Sequence, residues 1–435
     1  MKITEAYAKK LAISEKVYAK EHGGKALSES KKIAIARVLA NTAEYLNEAF
    51  ESSVGTQLSN MKTFKKFCLD LTTVALPSLI ANDLVIVYPL KSRTGYIQYL
   101  QFKAGSNKGG VAQGDLFNDV FRLGKMTDER VNYTAAAVVE TISGEATKFT
   151  PAWTPVVGKV EGHKVDGDKW EELPESFVAG TYDKARYTYD NVKIPQNDIP
   201  QLTAHMEGIE LAAKARRIGI YYSQMAAFQA KTEMGIDLGE VLATQACAEL
   251  SYEIDSEVVK LLADNAAAKE DLKWNKRLPV GVSKRDHYAG FAEIVERGSQ
   301  HIYDATQKHA ANYMIVASNI KPILVMMEGF KAASTTKING PYFCGELNGL
   351  KVYVSPALKP GKYVLGYNGG DMVTSAAVYA PYMAIVPTQL LGFADGAMSQ
   401  GFSTLYDLKM LNPALLVSGE VVDEDFVSGV VKNTL

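Results

Sequence analysis

The chain has 435 residues, which is enough for two or three domains, because single domains commonly span about 100 to 200 residues. It carries 47 lysine and arginine residues against 49 aspartate and glutamate residues, a net charge of −2 with neutral histidine. This balance disfavours a general DNA-coating protein and a charge-driven membrane binder. Apolar residues make up 47% and charged residues 22%, so wholesale disorder, collagen-like repeats and coiled-coil composition are excluded.

Cysteine usage and the N-terminus both favour a protein assembled in a reducing cytosol. Cys68, Cys247 and Cys344 lie far apart without CxxC spacing, which supports neither a disulfide framework nor a cysteine-rich zinc site. The first twenty residues contain five lysines and no apolar core of signal-peptide length. The longest uncharged run, 372–394, is interrupted by prolines, threonines and a glutamine, so we predict buried strands there instead of a membrane span.

Residues 1–50 have the pattern of two helices. The first is expected to end at His22, Gly23 and Gly24, and the second to run from about 30 to 50. Their apolar positions are too few to form a core alone. We therefore expect a surface helical extension that leans on a partner or remains mobile.

From residue 84 onward the sequence pattern is typical of β-strands. The β-branched run 84–88, a turn at 89–95 and alternation over 96–103 predict a β-hairpin. The segment 105–110 is expected to be mobile, and its lysine precedes the glycine pair, so a phosphate-binding loop is not supported. Residues 149–200 predict a second β-rich segment.

A long helical pattern is predicted over 208–264, interrupted at Gly235. Asp237 is a candidate N-cap with Glu240 three residues later. Apolar residues then recur every fourth position: Leu238, Leu242, Ala246, Leu250, Ile254, Val258 and Leu262. This spacing predicts a helix buried along one side.

The pattern beyond the polar link 273–276 is α/β. We predict a helix over 287–309, a buried strand over 312–317, a helix capped by Ser318 or Asn319 that runs to Gly329, and a strand over 351–355.

The sequence supports no catalytic, cofactor or metal site. His301 and His309 could share a helix face, but no third metal ligand accompanies them, and the histidines are interpreted as structural surface residues. Asp286 beside His287 resembles part of a hydrolase set, but no nucleophile completes it. The segment 365–372 is interpreted as a glycine-rich turn and not as an anion nest. The residues alone predict a multi-domain α+β protein with a structural or binding role.

Three blocks of sequence carry a family resemblance: 77–104 (PSLIANDLVIVYPLKSRTGYIQYLQFKA), 206–262, and 366–413. The most specific feature is Tyr-Ala-Pro-Tyr at 379–382, followed by a glycine-phenylalanine block and Asn412-Pro413. In this order the blocks resemble the major capsid proteins of contractile-tailed bacteriophages, which have the Hong Kong 97-type capsid fold. They cover about a third of the chain, and the segments 145–200 and 270–360 depart from the family pattern.

The resemblance implies an α+β fold with an N-terminal arm, an extended β-hairpin loop, a peripheral domain with a long spine helix, and an α/β axial domain. It divides the chain into six parts. These are a helical N-terminal extension (1–48), the N-arm (49–83), the extended loop with its β-rich elaboration (84–200), the peripheral domain (201–274), the axial domain (275–375) and the return strands of the periphery (376–435).

The implied function is that of a major capsid protein that self-assembles into hexamers of an icosahedral or prolate shell around phage double-stranded DNA. Vertex, portal, scaffold and decoration proteins are the other implied partners. The implied location is the virion, after assembly in the host bacterial cytoplasm, with no enzyme activity, cofactor, membrane or sequence-specific DNA contact. The alternative is an encapsulin-like nanocompartment, which shares the fold but houses cargo enzymes.

The resemblance also implies a maturation cleavage after a hydrophobe-x-Glu sequence. Leu46-Asn47-Glu48 fits it and places the cut between Glu48 and Ala49, which would make 1–48 a propeptide. The same short pattern recurs at residues 13–15 and 27–29.

Overall fold

The structure is a computed structural model in which the chain divides into two units. It describes residues 2–22, 24, 26–51, 58–105, 113–115, 137–152, 155, 160–167, 169–188, 201–306, 308–333, 340–388, 390–393 and 396–423. The first unit comprises residues 1–97, 209–305 and 309–435, and the second comprises 98–208 with 306–308.

The helices, in chain order, are α1 Lys2–Ala6, α2 Ala8–Glu21, α3 Glu29–Glu51, α4 Leu58–Ser78, α5 Ala81–Leu84, α6 Gln224–Gln229, α7 Leu238–Asn265, α8 Lys284–Thr306 and α9 Lys321–Val325. A π-helical turn, Ala230–Met234, continues α6.

The strands follow in the same order: β1 Ile86–Val87, β2 Thr94–Ala104, β3 Ala137–Thr141, β4 Glu161–Lys164, β5 Lys169–Glu172, β6 Tyr182–Thr188, β7 Leu202–Ala212, β8 Lys214–Ser223, β9 Ala267–Asn275, β10 Tyr313–Ala317, β11 Phe330–Ala332, β12 Tyr342–Leu347, β13 Leu350–Ser355, β14 Lys362–Gly366, β15 Ala377–Pro387, β16 Leu391–Gly392, β17 Ala397–Met410 and β18 Leu416–Val422.

The N-terminal helices are built into the first unit. The predicted helices are confirmed, and α2 ends at His22 as expected. However, α2 and α3 pack on α4, and α3 also packs on β15. Asn41 on α3 donates hydrogen bonds to the carbonyl oxygens of Leu90 (2.7 Å) and Tyr382 (3.0 Å). The predicted surface extension is therefore corrected: the partner that buries these helices is the chain's own core.

The predicted hairpin of 84–88 with 96–103 is wrong in its pairing. Ile86 and Val87 pair in parallel with Val378 and Tyr379 of β15, while β2 pairs with β7, far along the chain. The β-branched run gains more from the buried strand β15 than it would from an exposed two-stranded ribbon, which is marginal in water. The extended β-ribbon therefore consists of β2 and β7, which flank residues 105–201.

The first half of the predicted 208–264 helix is also wrong, because residues up to 223 form β7 and β8. Strand β8 pairs antiparallel with β17 from Lys214 opposite Tyr406 to Ser223 opposite Ala397. Pairing with a neighbouring strand decided the conformation here, as it commonly does for segments of mixed propensity. The five-stranded sheet of the described residues contains β1, β15, β17 and β16, with β8 on the other side of β17.

The second half of the prediction is confirmed in α7. Gly235 has a φ of 67°, a left-handed conformation that favours glycine and ends the preceding π turn. Asp237 caps α7 by accepting hydrogen bonds from the backbone N–H groups of Gly239 and Glu240. Most of the four-residue series is buried, namely Ala246, Leu250, Ile254, Val258 and Leu262.

A seven-stranded sheet of the described residues has the order β11-β12-β13-β10-β14-β18-β9. Strand β10 is buried throughout, as predicted for 312–317. Helix α9 begins after Ile320 without a side-chain cap, so the predicted capping by Ser318 or Asn319 is wrong; Asn319 instead accepts a hydrogen bond from the N–H of Gly361. The segment 365–372 leads from β14 into a turn closed by a bridge between Asn368 and Ser375.

The second unit contains the sheet β3-β6-β4-β5, which confirms a β-rich segment for the described part of 149–200. Its core contains Ile142, Tyr182 and Ala185, with Phe149, Leu173 and Phe177 packed against them. Most of the 105–110 segment and residues 189–200 lie outside the described residues. Within the described parts of the chain, none of the helices combines the length and the apolar content needed to cross a bilayer.

Substitution of Gly162 tests the packing of the second unit. A Cβ at Gly162 on β4 would lie 2.5 Å from Leu173 Cδ1 and 2.8 Å from Tyr182 Cδ1. Overpacking of this kind costs about 1–3 kcal/mol, so Gly162→Ala should speed proteolytic cleavage within residues 98–208. Gly144→Ala is the matched control, because its Cβ would meet no atom within 4 Å. Equal cleavage rates for the two variants would contradict the described packing.

Candidate functional site: the Asp83 cluster and the exposed ribbon face

A buried carboxylate on α5 collects hydrogen bonds from three other parts of the first unit. The side chain of Asp83 is 3% exposed. Its Oδ1 accepts hydrogen bonds from the Tyr18 hydroxyl (2.5 Å) and Lys31 Nζ (2.9 Å). Its Oδ2 accepts from the Tyr353 hydroxyl (2.9 Å) and lies 2.8 Å from His22 Nδ1. We call these five residues the Asp83 cluster.

The partners of Asp83 come mainly from the N-terminal helices. Tyr18 lies in α2, His22 directly follows α2, and Lys31 lies in the first turn of α3. The rings of Tyr18 and His22 stack with centroids 4.2 Å apart, and His22 Nε2 lies 3.0 Å from the carbonyl oxygen of Pro77. The fifth member, Tyr353, belongs to β13. One carboxylate therefore joins α2, α3 and α5 to the seven-stranded sheet.

The electrostatics of the cluster keep Asp83 ionised. Burial alone would raise the pKa of Asp83, but the hydrogen bond and charge of His22, with the charge of Lys31 and the hydrogen bond of Tyr18, hold this pKa well below its usual range. Burial and the negative charge of Asp83 raise the pKa of Tyr18 and of Tyr353, so both hydroxyls remain donors. The arrangement can bind helices together, but it presents no free nucleophile.

A second buried carboxylate holds the other side of α5. Asp255 on α7 accepts a hydrogen bond from the backbone N–H of Ala81 (3.1 Å), at the beginning of α5. Burial raises the pKa of Asp255 to about 7, against the opposing effect of hydrogen bonds from Ala81 and Ile80. Helix α5 is thus fastened to the N-terminal helices by one carboxylate and to the long helix α7 by another.

The two residue pairs that were considered for chemistry and set aside, Asp286 with His287 and His301 with His309, are not brought together. Asp286 accepts from the Ser283 hydroxyl, whereas His287 Nε2 lies 2.9 Å from the Asn275 carbonyl oxygen. His309 follows the end of α8, so it shares no helix face with His301. Among the described residues, no group of three or more histidine, cysteine and acidic side chains could hold a metal ion.

Two other histidines are buried in the structure. His22 is 2% exposed and His163 is 7% exposed. His163 Nδ1 lies 2.7 Å from Asp183 Oδ1 in the second unit. Sequence reasoning also missed Asp83. The available signal was a charged residue inside the otherwise uncharged and mainly apolar stretch 79–87, since a charge in such a position requires partners.

The proposed cleavage position lies in the last turns of α3. Glu48 is exposed, and Ala49 follows it in the same helix. Of the two rival positions, Glu15 lies inside α2 and follows the buried Ser14, whose hydroxyl donates to the Thr73 carbonyl oxygen. Glu29 begins α3 after the buried Leu27.

The three cysteines are all buried as free thiols. Burial raises the pKa of Cys68 to about 12 and that of Cys247 to about 11. It also raises the pKa of Cys344, despite the nearby charge of Lys321.

The ribbon of β2 and β7 carries large apolar side chains in contact with solvent. Within the second unit these are Leu100 and Phe102 on β2, and Leu202 and Met206 on β7. On each strand they stand at even positions, which places them on one face of that strand. We call them the exposed ribbon face. Exposed apolar side chains grouped in this way are typical of a site of protein association.

The apolar ribbon, left open to solvent beside a mixed α+β core, is typical of a protein that associates with other chains. The sequence model of the family described as "Major capsid protein Gp23" matches residues 61–431. The chain belongs to this family, and residues 1–60 lie outside the matched range.

Individual relatives agree with the family match. The chain is 21% identical over 386 residues to the major capsid protein of Enterobacteria phage T4, covering 78% of this chain and 73% of that protein. It is 22% identical over 394 residues to the major capsid protein of Enterobacteria phage T6, covering 78% and 76%. A solved structure, the asymmetric unit of the bacteriophage PhiM1 mature capsid, is similar with a TM-score of 0.38 and 9% identity, covering 54% of this chain and 78% of that one.

The resemblance to phage major capsid proteins is thereby confirmed, and the helices and strands described above agree with the predicted α+β fold. The chain is a bacteriophage major capsid protein, a structural component of the virion that assembles into a shell of oligomeric capsomers. The alternative of an encapsulin-like compartment is weaker than this assignment.

Replacement of Asp83 tests the cluster. Asp83→Asn keeps the shape but removes the charge that pairs with Lys31 and His22. Loss of one partner of a buried ion pair costs about 3–5 kcal/mol, so urea unfolding of the unassembled subunit should shift to markedly lower urea. Asp70→Asn is the control, because Asp70 is half exposed where it pairs with Lys10, and such pairs contribute about 0–1 kcal/mol. Equal shifts for both variants would contradict the role of the cluster.

The pH dependence of the cluster has a defined sign. The pKa of Asp83 is lower in the folded than in the unfolded chain, so its stabilising contribution is complete above about pH 4 and is lost as the pH falls further. Acid unfolding of Asp83→Asn should therefore show a smaller loss of stability below about pH 4 than the wild type. Identical acid unfolding profiles for Asp83→Asn and the wild type would contradict this role of the Asp83 charge.

The ionisation of Asp255 should change the pH dependence of stability in the opposite direction. With a folded pKa of about 7, the wild type loses stability as the pH rises from about 4 to about 7, because only the unfolded chain ionises freely. Asp255→Asn retains an acceptor for the Ala81 N–H and should exceed the wild type in stability at pH 8, by up to about 4 kcal/mol, with no gain near pH 4. Asp264→Asn, exposed on the same helix, is the control, and a gain that is independent of pH would contradict the assignment.

Proposed function

We propose that the chain forms hexameric capsomers of an icosahedral or prolate shell that encloses phage double-stranded DNA, and that it catalyses no reaction. The exposed ribbon face carries this proposal. A two-stranded ribbon buries too little surface to be stable alone, and its large apolar side chains remain in solvent. An adjacent subunit in the capsomer would supply the missing contact.

The charge of the chain supports enclosure of DNA without tight binding. With 47 basic and 49 acidic residues, the protein has a net charge of −2. A strongly basic lining would hold the genome through released counterions and oppose its delivery. The proposed partners are therefore other copies of the chain, with vertex, portal, scaffold and decoration proteins, in a particle assembled in the host bacterial cytoplasm.

The proposed division into N-arm, extended loop, peripheral and axial domains has structural support at several points. The second compact unit comprises mainly residues 98–208, within or close to the segment 84–200 assigned to the extended loop. Helix α7 supplies a spine helix in the peripheral segment 201–274, and the strands β10 to β14 fall in the axial segment 275–375.

Removal of the exposed ribbon face tests the function. Leu100→Ser combined with Phe102→Ser should abolish hexamers and shells, as seen by cryo-electron microscopy of the expressed protein. The melting temperature of the unassembled subunit should stay close to that of the wild type, because both side chains are solvent-exposed. Val178→Ser, an exposed site in the same unit, is the control. Normal shells from the double variant would contradict the proposal.

We also propose cleavage between Glu48 and Ala49. Because both residues lie in α3, the end of that helix has to unwind before a protease can bind it in extended form. The fragment 1–48 contains Tyr18, His22 and Lys31, so its departure would leave Asp83 with Tyr353 alone within the cluster. Cleavage and rearrangement of the cluster are coupled in this proposal.

Intact mass measurement of the virion protein decides among the cleavage positions. Loss of residues 1–48, and its prevention by Glu48→Gln, is the expected result. A mass that fits cleavage after Glu15 or Glu29, or a full-length chain, would contradict the assignment.

A further inference from the structure

A surface cavity of about 820 Å³ lies between α3, the segment that follows β1 and the turn 368–372. All of its lining residues belong to the first unit. Its volume is within the range of about 300–1,000 Å³ that small-molecule sites in proteins occupy. We call it the α3 cavity and define it by five of its lining residues: Ile33, Arg37, Tyr88, Lys91 and Asp371.

Hydrogen bonds hold the walls of the α3 cavity in place. The Asn41 side chain donates to the carbonyl oxygen of Leu90 (2.7 Å), which fixes α3 against the segment after β1. The N–H groups of Tyr88 and Leu90 donate to carbonyl oxygens of β15. The Asn368 side chain donates to the Asp83 carbonyl oxygen (2.9 Å) and so fixes the turn to α5. A ligand would therefore enter a preformed site, which lowers the cost of binding.

Uncompensated positive charge lies at one end of the α3 cavity. Arg37 precedes Asn41 by one helical turn, so the two side chains are on the same face of α3. Because Asn41 contacts Leu90, Arg37 stands next to the stretch that contains Lys91. Neither Arg37 nor Lys91 has an ion pair or a side-chain hydrogen bond within the part of the chain that the structure describes. Two cations that converge without a carboxylate partner are typical of an anion site.

The charges at the other end of the cavity are balanced or negative. Lys31 Nζ lies 2.9 Å from Asp83 Oδ1, and Lys351 stands directly opposite Glu346 in the β12–β13 pair. The turn adds the exposed carboxylate of Asp371. An ionised carboxylate repels a phosphate group, but it accepts hydrogen bonds from hydroxyl groups. This end therefore suits the uncharged, hydroxyl-bearing part of a ligand.

Exposed apolar side chains line the cavity between these two ends. On α3, Ile33 lies between Lys31 and Arg37, and it is 54% exposed. On the segment after β1, Tyr88 lies between Asp83 and Lys91 in the chain, and it is 39% exposed. A tyrosine ring can stack on a nucleobase, and such stacking tolerates any base. The cavity thus offers apolar contact area for a flat ring.

We propose that the α3 cavity binds a nucleotide. Arg37 and Lys91 hold its phosphate groups, and Asp371 accepts hydrogen bonds from its ribose hydroxyls. Ile33 and Tyr88 cover one face of its base. A phosphate chain places several negative charges close together, which matches cations that converge at one end, whereas an acidic peptide would distribute its carboxylates along the cavity and meet Asp371. The proposal concerns the single subunit and does not depend on how subunits are arranged in a shell.

Calorimetric titration of the unassembled subunit tests the proposal, with ATP, inorganic triphosphate and adenosine as probes at one ionic strength and without added metal ions. The full-length chain is required, because Arg37 belongs to the segment 1–48 that the proposed cleavage would remove. ATP should bind most tightly, inorganic triphosphate more weakly and adenosine most weakly. ATP should also raise the melting temperature of the subunit. No heat of binding and no rise in melting temperature at millimolar ATP would overturn the proposal.

Paired variants locate the phosphate groups. Arg37→Gln and Lys91→Gln should each weaken ATP binding about tenfold, because each removes a charge-assisted hydrogen bond. Arg217→Gln and Lys359→Gln are matched controls, since both residues are exposed and lie outside the cavity lining. Lys91 is exposed, so its replacement should leave the melting temperature of the free subunit unchanged. Unchanged affinity for ATP in Lys91→Gln, or an equal loss in the controls, would overturn the proposal.

A further variant tests the position of the base. Tyr88→Ala should weaken ATP binding about fivefold and leave the affinity for inorganic triphosphate unchanged, because only ATP loses a stacking contact. Equal losses for the two probes would overturn the assignment of a nucleotide. Duplex DNA or an acidic peptide that binds in place of ATP, and whose affinity falls in Arg37→Gln and Lys91→Gln, would overturn it as well.

Discussion

The first unit depends on the neutralisation of one buried negative charge. Asp83 lies in the short helix α5, and its side chain is too deeply buried to be solvated by water. A buried carboxylate is tolerated only with hydrogen bonds and opposite charge around it. The sequence provides these from α2, α3 and β13, so the position of every one of these elements is tied to the same two oxygen atoms.

This constraint explains why the N-terminal helices belong to the core although they precede the family match at residue 61. Three of the four partners of Asp83 lie before residue 48. Asn41 adds hydrogen bonds to the carbonyl oxygens of Leu90, which follows β1, and of Tyr382 in β15. The helices thus supply hydrogen-bond donors for polar groups that the family-matched part of the chain would leave without partners among these contacts.

Sequence reasoning succeeded where local signals and the final packing agree. The cap at Asp237 and the four-residue apolar repeat defined α7, and the uniformly apolar stretch before Ser318 defined β10. It failed where distant pairing decided the structure. Residues 214–223 joined β17, and Ile86 and Val87 joined β15, nearly three hundred residues away. Neither partner leaves a trace in the local pattern. The Asp83 cluster joins residues up to 335 positions apart, between Tyr18 and Tyr353, so only its central charge was visible in the sequence.

The burial of Cys68, Cys247 and Cys344 has a consequence for the life of the particle. Disulfide exchange proceeds through the thiolate, and the raised pKa values keep these groups in the thiol form. These three cysteines would therefore form no disulfide bonds when a shell passes from a reducing medium into aerated surroundings. The durability of the shell would then depend on packing and on contacts between copies, and not on disulfide bonds between these cysteines.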